Sequence, residues 1–380
     1  MRVLACCNPL LGHLHPMLPL AAALQDDGHE VVFMTGAGIK AALDDQGFRL
    51  LPAGPDFATL VGDALTRHPE TTFDTPDDQQ RFGFQRLFSE VRVEQSIDVS
   101  MAQARLFAPD FILNEVADFV GPLVAAQLDI PNVTLGIGLV LRDEWLRLAA
   151  DGVAPSWQAA GLLSRSDAGL YRSLYLNQLP RSLQRPSLTE VPSVHDLRPV
   201  AFGTDQPLPA DLEALGRERP LVYVTFGTVF GDPAPMRAIV DGLADLDIDV
   251  LVTVGAEVEP AAVARRVGNV LVRSFVPQGA LLGRCRLVVT HGGVGSVVGP
   301  LCFGVPLVVV PIGADQEENA DQVVRAGVGC VVLPDALSPE VIRDAVVELL
   351  ADMPAAQAAA DMRAEIARMP SPGDVAGLIA

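Results

Sequence analysis

Two short stretches of this 380-residue chain carry residue types whose spacing could do chemistry. The first is His291-Gly292-Gly293-Val294-Gly295-Ser296, which interrupts the apolar, β-branched run Leu287–Thr290 and opens a second apolar segment reaching Phe303. Glycines at a strand-to-helix turn let backbone N–H groups approach a ligand, and a helix N-terminus offers unpaired donors and a positive dipole end to an anion. His291 and Ser296 add side-chain donors at the same place, a combination suited to a diphosphate held without a metal. The second stretch is Asn8-Pro9-Leu10-Leu11-Gly12-His13-Leu14-His15-Pro16, after the apolar run Val3–Cys7. An imidazole at such a strand end can accept a proton at neutral pH, or can cap the helix that follows. A His13-x-His15 metal site has no third ligand nearby in the sequence.

Both stretches need strands to position them, and the chain supplies these in two series. Val3–Cys7, Val31–Thr35, Phe48–Leu51, Phe111–Leu113 and Val133–Gly136 alternate with helical segments at Pro16–Gln25, Ile39–Gln46 and Phe119–Leu128. The rhythm resumes with Leu221–Phe226, Val250–Val254, Val270–Phe275, Leu287–Thr290, Leu307–Val310 and Cys330–Leu333. Such alternation predicts an α/β chain of two facing, doubly wound, Rossmann-like parallel-sheet domains, whose ligands bind beyond the carboxyl ends of the strands. The expected division is an N-terminal domain over 1–202, a Gly- and Pro-containing linker over 203–219, a second domain over 220–365 and a terminal segment over 366–380. Segments 54–80 and 140–180 lack a strong strand signal and read as long elements that are mobile until a second substrate binds.

His291-Gly292-Gly293, Gly295-Ser296, Gly304-Val305-Pro306 and Asp315-Gln316 with Asn319-Ala320 together resemble the donor-binding signature of GT-B-fold glycosyltransferases. The similarity is greatest to the bacterial antibiotic and macrolide type, and it covers the last third of the chain. The resemblance implies that His13, after Gly12, is a general base, and that Glu115 stands where an acidic residue orients it. Asn114 and Asp118 are neighbours able to take that part, and a solvated loop glutamate is the plain alternative. It further implies that Phe275-Val276-Pro277-Gln278 holds the nucleotide base and that Asp315-Gln316 bonds the sugar hydroxyls. Asp315 can equally cap the helix over Gln316–Arg325. Gly227-Thr228, ending the first strand of the second series, is placed to meet a phosphate. Relatives that use UDP-sugars often carry a Glu eight residues after the histidine; here that position is Gly299, followed by Pro300. No side chain there can take a ribose 2′-hydroxyl, which points to a TDP-sugar.

Composition narrows the rest. A net charge of −20 argues against nucleic acid or an anionic membrane as partner. No apolar run reaches the length of a membrane span, and no signal-peptide succession opens the chain, so a cytoplasmic location is expected. The five cysteines lie scattered in apolar segments and read as buried free thiols. Of the 20 aromatic residues, 12 fall between positions 54 and 180, mostly outside the strands, which suggests an apolar, aromatic acceptor pocket. Phe57, Phe84, Trp145 and Tyr171 are its candidate lining. Gly36-Ala37-Gly38 with Asp56 imitates a dinucleotide fingerprint, and Asp245-x-Asp247-x-Asp249 imitates a metal-binding pair, but both sit in the wrong context. The expected activity is inverting, metal-independent transfer of a hexose or deoxyhexose from a TDP-sugar to a natural-product aglycone, with no cofactor. A nucleotide-sugar epimerase of the same fold and a non-catalytic nucleotide-sugar-binding partner are the alternatives. A homodimer is compatible with the sequence, which leaves oligomeric state open.

Overall fold

The computed structural model describes residues 1–227, 233–255, 258–263 and 269–379, and the chain divides into two units. The first comprises Met1–Leu179, Gln184–Arg198 and Met369–Ala380; the second comprises Pro180–Leu183 and Pro199–Arg368.

In the first unit, strands β1 (Arg2–Cys6), β2 (Glu30–Thr35), β3 (Arg49–Pro52), β4 (Phe111–Glu115), β5 (Asn132–Gly136), β6 (Leu174–Asn177) and β7 (Val194–Asp196) form one parallel sheet. Their order is β3-β2-β1-β4-β5-β6-β7. Helices α1 (Leu11–Leu14), α2 (Leu18–Asp26), α3 (Lys40–Asp45), α4 (Phe57–Arg67) and α5 (Pro76–Phe82) precede a π-helical segment, Gly83–Val91. That segment runs directly into α6 (Arg92–Phe107), followed by α7 (Val120–Leu128) and α8 (Asp143–Ala159). A parallel sheet covered on both faces buries its strands, which is why Val3–Cys6 of β1 and Phe111–Leu113 of β4 read as apolar runs.

The second unit repeats the plan. Strands β8 (Leu221–Thr225), β9 (Asp249–Thr253), β10 (Val270–Arg273), β11 (Cys285–Thr290), β12 (Leu307–Val309) and β13 (Gly329–Val331) lie in the order β10-β9-β8-β11-β12-β13, all parallel. Its helices are α9 (Ala234–Leu243), α10 (Pro260–Val263), α11 (Gln278–Leu282), α12 (Val294–Leu301), α13 (Gln316–Arg325), α14 (Pro339–Ala351) and α15 (Met353–Arg368). The last helix, α16 (Pro372–Ile379), belongs to the first unit and packs on α2.

Several expectations need correction. Segment 203–219 is no free linker, because it is tied into the second unit. Arg219 pairs with the buried Asp249 at 2.6 Å, Gly216 N–H donates to the same carboxylate, and Arg273 reaches Asp211. Asp249 is therefore a structural anchor, and the Asp-x-Asp resemblance ends there. Segment 54–80 carries α4 and the start of α5, and segment 140–180 carries α8, a run of turns and β6. Asp56 caps α4 by accepting from Thr59 N–H, and Thr75 with Asp78 forms a capping box at α5. Strands β6 and β7 carry too little periodicity to have been anticipated. Gly36 owes its identity to packing, since a Cβ there would collide with the Pro55 carbonyl oxygen.

That collision yields a stability test. Gly36→Ala should destabilise the protein by about 1–3 kcal/mol through overpacking. Gly62→Ala, in the exposed interior of α4 where a Cβ meets nothing within 4 Å, should stabilise by about 0.5–1 kcal/mol. Urea unfolding midpoints that shift in the same direction for both variants would contradict the packing described.

Candidate active site

Doubly wound sheets bind ligands where the strand order reverses, because the crossovers leave in opposite directions and open a crevice. In the first unit that point lies between β1 and β4. Their register pairs Val3 with Phe111 and Cys6 with Asn114, so the two strands end level. The chain leaves β1 through Asn8 and turns into α1, which presents His13; β4 ends in Glu115.

Glu115 is fully buried, and its carboxylate is met by four hydrogen-bond donors. Oε1 accepts from His13 Nδ1 at 2.9 Å, from Asn8 N–H at 3.2 Å and from Asn8 Nδ2 at 2.9 Å. Oε2 accepts from Ala117 N–H at 2.6 Å. Burial alone would raise the carboxyl pKa, but the imidazole and the backbone donors outweigh it and hold it below the ordinary Glu range. An ionised carboxylate only accepts, so Nδ1 of His13 carries the hydrogen and Nε2 is the nitrogen whose lone pair can take a proton. Of the neighbours considered for this part, Asn114 is turned to Thr134 and Asn132, and Asp118 to Arg92 and Gly121 N–H. His15 is not part of the pair; burial lowers its imidazole to about 4. Gly12 is exposed, and a Cβ there would touch nothing.

The sequence did not single out Asn8, and it placed Phe88 only among the 12 aromatics between positions 54 and 180. Asn8 ties the end of β1 to Glu115 and to the Ala117 carbonyl, and an Asn directly after a strand was its only signal. The Phe88 ring lies 5.7 Å from that of His13, and it sits one turn from Phe84 on the π-helical segment. Phe84 stacks on Trp145 at 6.1 Å and meets Phe119 edge-on at 6.5 Å. Trp145 is only 1% exposed, so it is core packing behind Phe84 rather than pocket lining. Phe57 packs on the small cluster of Leu60, Leu87 and Val91. Tyr171 meets Tyr175 edge-on at 5.4 Å, and its buried hydroxyl has no hydrogen-bond partner among the described residues.

In the second unit the order reverses between β8 and β11. Gly227 follows β8 and His291 follows β11. The imidazole lies between two glycines: a Cβ at Gly227 would lie 2.9 Å from its Cε1, and one at Gly293 would lie 2.5 Å from its Nε2. Burial lowers His291 to about 4, against the opposing effect of a hydrogen bond with the Thr225 backbone. The ring is therefore neutral at pH 7 and can act on an anion as a donor, not as a charge. Gly293 stands at the N-cap of α12, so the N–H groups of Val294 and Gly295 have no intrahelical partner. Ser296 Oγ receives a hydrogen bond from Thr290 and donates to the Gly293 carbonyl, which ties the cradle to β11.

Asn319 Nδ2 donates both to the Gly292 carbonyl and to Asp315, linking α13 to the glycine turn. Asp315 makes no side-chain cap, contrary to the capping alternative. Gln316 is 2% exposed and its carbonyl oxygen accepts from the N–H groups of Ile312 and Gly313, so that oxygen serves the loop and not a sugar. After β10, Phe275 is 60% exposed, Val276 is buried, and Pro277 caps α11. The Nε2 of Gln278 is buried without a hydrogen-bond partner among the described residues. Its Oε1 lies 3.9 Å from where a Cβ on Gly299 would be. Thr228 lies outside the described residues. No group of three or more His, Cys, Asp or Glu side chains that could hold a metal ion occurs among the described residues.

Comparison with known proteins supplies the family. Residues 237–380 match the family model described as the erythromycin biosynthesis protein CIII-like C-terminal domain. Elloramycin glycosyltransferase ElmGT of Streptomyces olivaceus is 30% identical over 394 residues, spanning 99% of this chain and 96% of that protein. Glycosyltransferase SsfS6 of Streptomyces sp. SF2575, solved with thymidine diphosphate, superimposes with a TM-score of 0.83 at 25% identity over 100% of this chain and 99% of its own. Glycosyltransferase VinC, solved with dTDP, gives 0.81 at 27% identity over 100% and 98%. Full-length similarity of this kind, on two sheets whose switch points carry these residues, shows that the chain belongs to the GT-B-fold glycosyltransferases of bacterial antibiotic biosynthesis.

Proposed function

We propose that the enzyme is an inverting, metal-independent glycosyltransferase that moves a hexose or deoxyhexose from a TDP-sugar to an apolar, aromatic natural-product aglycone. The observation that carries this reading is the His13–Glu115 contact at 2.9 Å at the switch point of the first sheet. His13 Nε2 takes the proton of the acceptor hydroxyl. The acceptor oxygen attacks the anomeric carbon, the bond from that carbon to the diphosphate oxygen breaks, and the diphosphate leaves with the electron pair. Glu115 stabilises the imidazolium through Nδ1. Its complete burial and four donors keep it from acting as a glycosyl nucleophile. A single displacement without a covalent intermediate inverts the anomeric centre.

On the donor side, the backbone of Gly293 to Gly295 and the neutral His291 suit a departing diphosphate, and fixed dipoles stand where a metal would otherwise neutralise charge. Gly299 offers a ribose no side chain, and two of the similar structures hold a thymidine diphosphate. Phe88 beside His13 and Phe84 one turn before it, both partly exposed, offer an aromatic surface of the character expected of an aglycone site. Incubation with TDP-glucose and a panel of aromatic polyketides, with mass detection, tests the reading. Nucleotide release without acceptor would replace it with an epimerase.

His13→Ala should lower turnover by roughly 10²–10⁴-fold while TDP still binds. Transfer to a neutral alcohol acceptor at close to the wild-type rate would remove His13 from the mechanism. Incubation with EDTA should leave turnover unchanged; loss restored by Mg²⁺ or Mn²⁺ would assign the leaving-group charge to a metal.

TDP should bind at least as tightly as UDP by calorimetric titration. A carboxylate restored by Gly299→Glu should shift preference toward UDP by about 2- to 13-fold, the equivalent of one hydrogen bond of about 0.5–1.5 kcal/mol. Tenfold tighter binding of UDP to the wild type would refute the TDP-sugar assignment.

A further inference from the structure

Behind the His13–Glu115 pair lies a second charged pair that the reaction described above does not use. Arg92, the first residue of α6, is 1% exposed, and Asp118, in the turn between β4 and α7, is fully buried. Arg92 Nη2 donates to the Cys7 carbonyl at 2.8 Å and to Asp118 Oδ1 at 3.3 Å, and Nη1 reaches Ser96 Oγ at 3.4 Å. Asp118 Oδ2 accepts from Gly121 N–H at 2.9 Å, which fixes the first turn of α7. One guanidinium thus joins the last residue before Asn8 to the turn that begins at Glu115. Those two segments are the ones that must meet for Asn8 and Ala117 to donate to the Glu115 carboxylate.

A charged pair in such a place is expensive. Desolvation usually cancels the attraction, and an apolar replacement of similar size is commonly neutral or stabilising. Stability therefore gives no reason for Arg92 and Asp118, whereas geometry does. The π-helical segment supplies the reach: Phe88 meets His13 from it, and Arg92, four residues later, meets Cys7 and Asp118. Wide turns of this type gather at functional sites.

We propose that Arg92 and Asp118 are positioning residues that lock the β1–α1 and β4–α7 turns together and so hold Glu115 against His13. The inference rests on the reading of His13 as the base. The charged and titratable groups around Asp118 are Arg92 from α6, Glu115 from β4, Cys6 from β1 and Cys7 just after it. Desolvation raises the Asp118 carboxyl to about 6, and Glu115 adds to that effect against the opposing Arg92. With Asp118 neutralised, Arg92 is an uncompensated cation behind Glu115 and disfavours a second cation on His13.

Two measurements test the pair, each beside His13→Ala. In Asp118→Asn, the His13 imidazole followed by NMR titration, its resonance assigned from the His13→Ala spectrum, should titrate at lower pH than in the wild type. Loss of the Asp118 charge and a loosened Glu115 act in the same direction, whereas a residue that only fills space would leave the titration where it is. The double variant Arg92→Met/Asp118→Asn removes both charges together, so it should remain folded by thermal denaturation. It should nevertheless turn over roughly 10- to 100-fold more slowly, since a displacement of about 1 Å at a catalytic group costs on the order of 10²-fold. An unmoved His13 titration in Asp118→Asn overturns the proposal. So does a double variant that turns over within about twofold of the wild type. If His13→Ala itself turns over normally, the fault lies in the assignment of the base; if only the pair variants behave as wild type, the base stands and the positioning pair falls.

Discussion

A carboxylate with no solvent contact at the end of a fully buried strand constrains everything around it. Glu115 loses its hydration on folding, and an unmet charge in that place would cost more than the domain's ordinary margin of stability. Asn8, His13 and Ala117 meet that demand from two different loops. Their donors are available only if β1 and β4 end level and adjacent, as the sheet order and register require. The topology of the first sheet, the short helix carrying His13 and the orientation of its ring are thus consequences of satisfying one buried charge. The same charge makes Nδ1 the protonated nitrogen, and so decides which atom of the ring can do chemistry.

Under the proposed function the second sheet meets the opposite demand, since its switch point receives a charge rather than hiding one. Among the described residues it has no buried carboxylate there, and the turn after β11 is lined by backbone donors and a neutral ring. Glycine at 227 and 293 is required because the ring of His291 occupies the space of both missing side chains. Asn319 and Ser296 add rigidity, through bonds to the backbone of the same turn. Such preorganisation is what lets dipoles act on a departing anion without rearranging first.

Much of this was legible in the residues and some was not. Parallel strands buried on both faces announce themselves as apolar runs, so most of the ladder could be placed, and β6 and β7 could not because Leu174–Asn177 and Val194–Asp196 are short and partly polar. His13 stood out by its place after a strand, and Glu115 only through the family resemblance. Arg92 reads in sequence as one more charge on an amphipathic helix, and its burial depends on a π-helical register that no periodicity announces. Trp145 was misplaced for a related reason: aromatic content marks a region, but only packing separates the ring facing outward from the one behind it. Gln316 shows the same limit, since a polar residue in a binding signature can spend its polarity on its own loop.

The π-helical segment and α6 form one unbroken rod, and this has an evolutionary consequence. Phe84 and Phe88 sit on the part of that rod nearest His13, and Arg92 is anchored further along it. Substitutions that reshape the aromatic surface from within the rod are mechanically coupled to the base, so most of them carry a catalytic penalty. The helices α4 and α8 both pack against this rod, α8 along its π-helical segment. In descendants of this chain the rod between Gly83 and Phe107 should therefore drift slowly, and the residues of α8 that face it should drift with it.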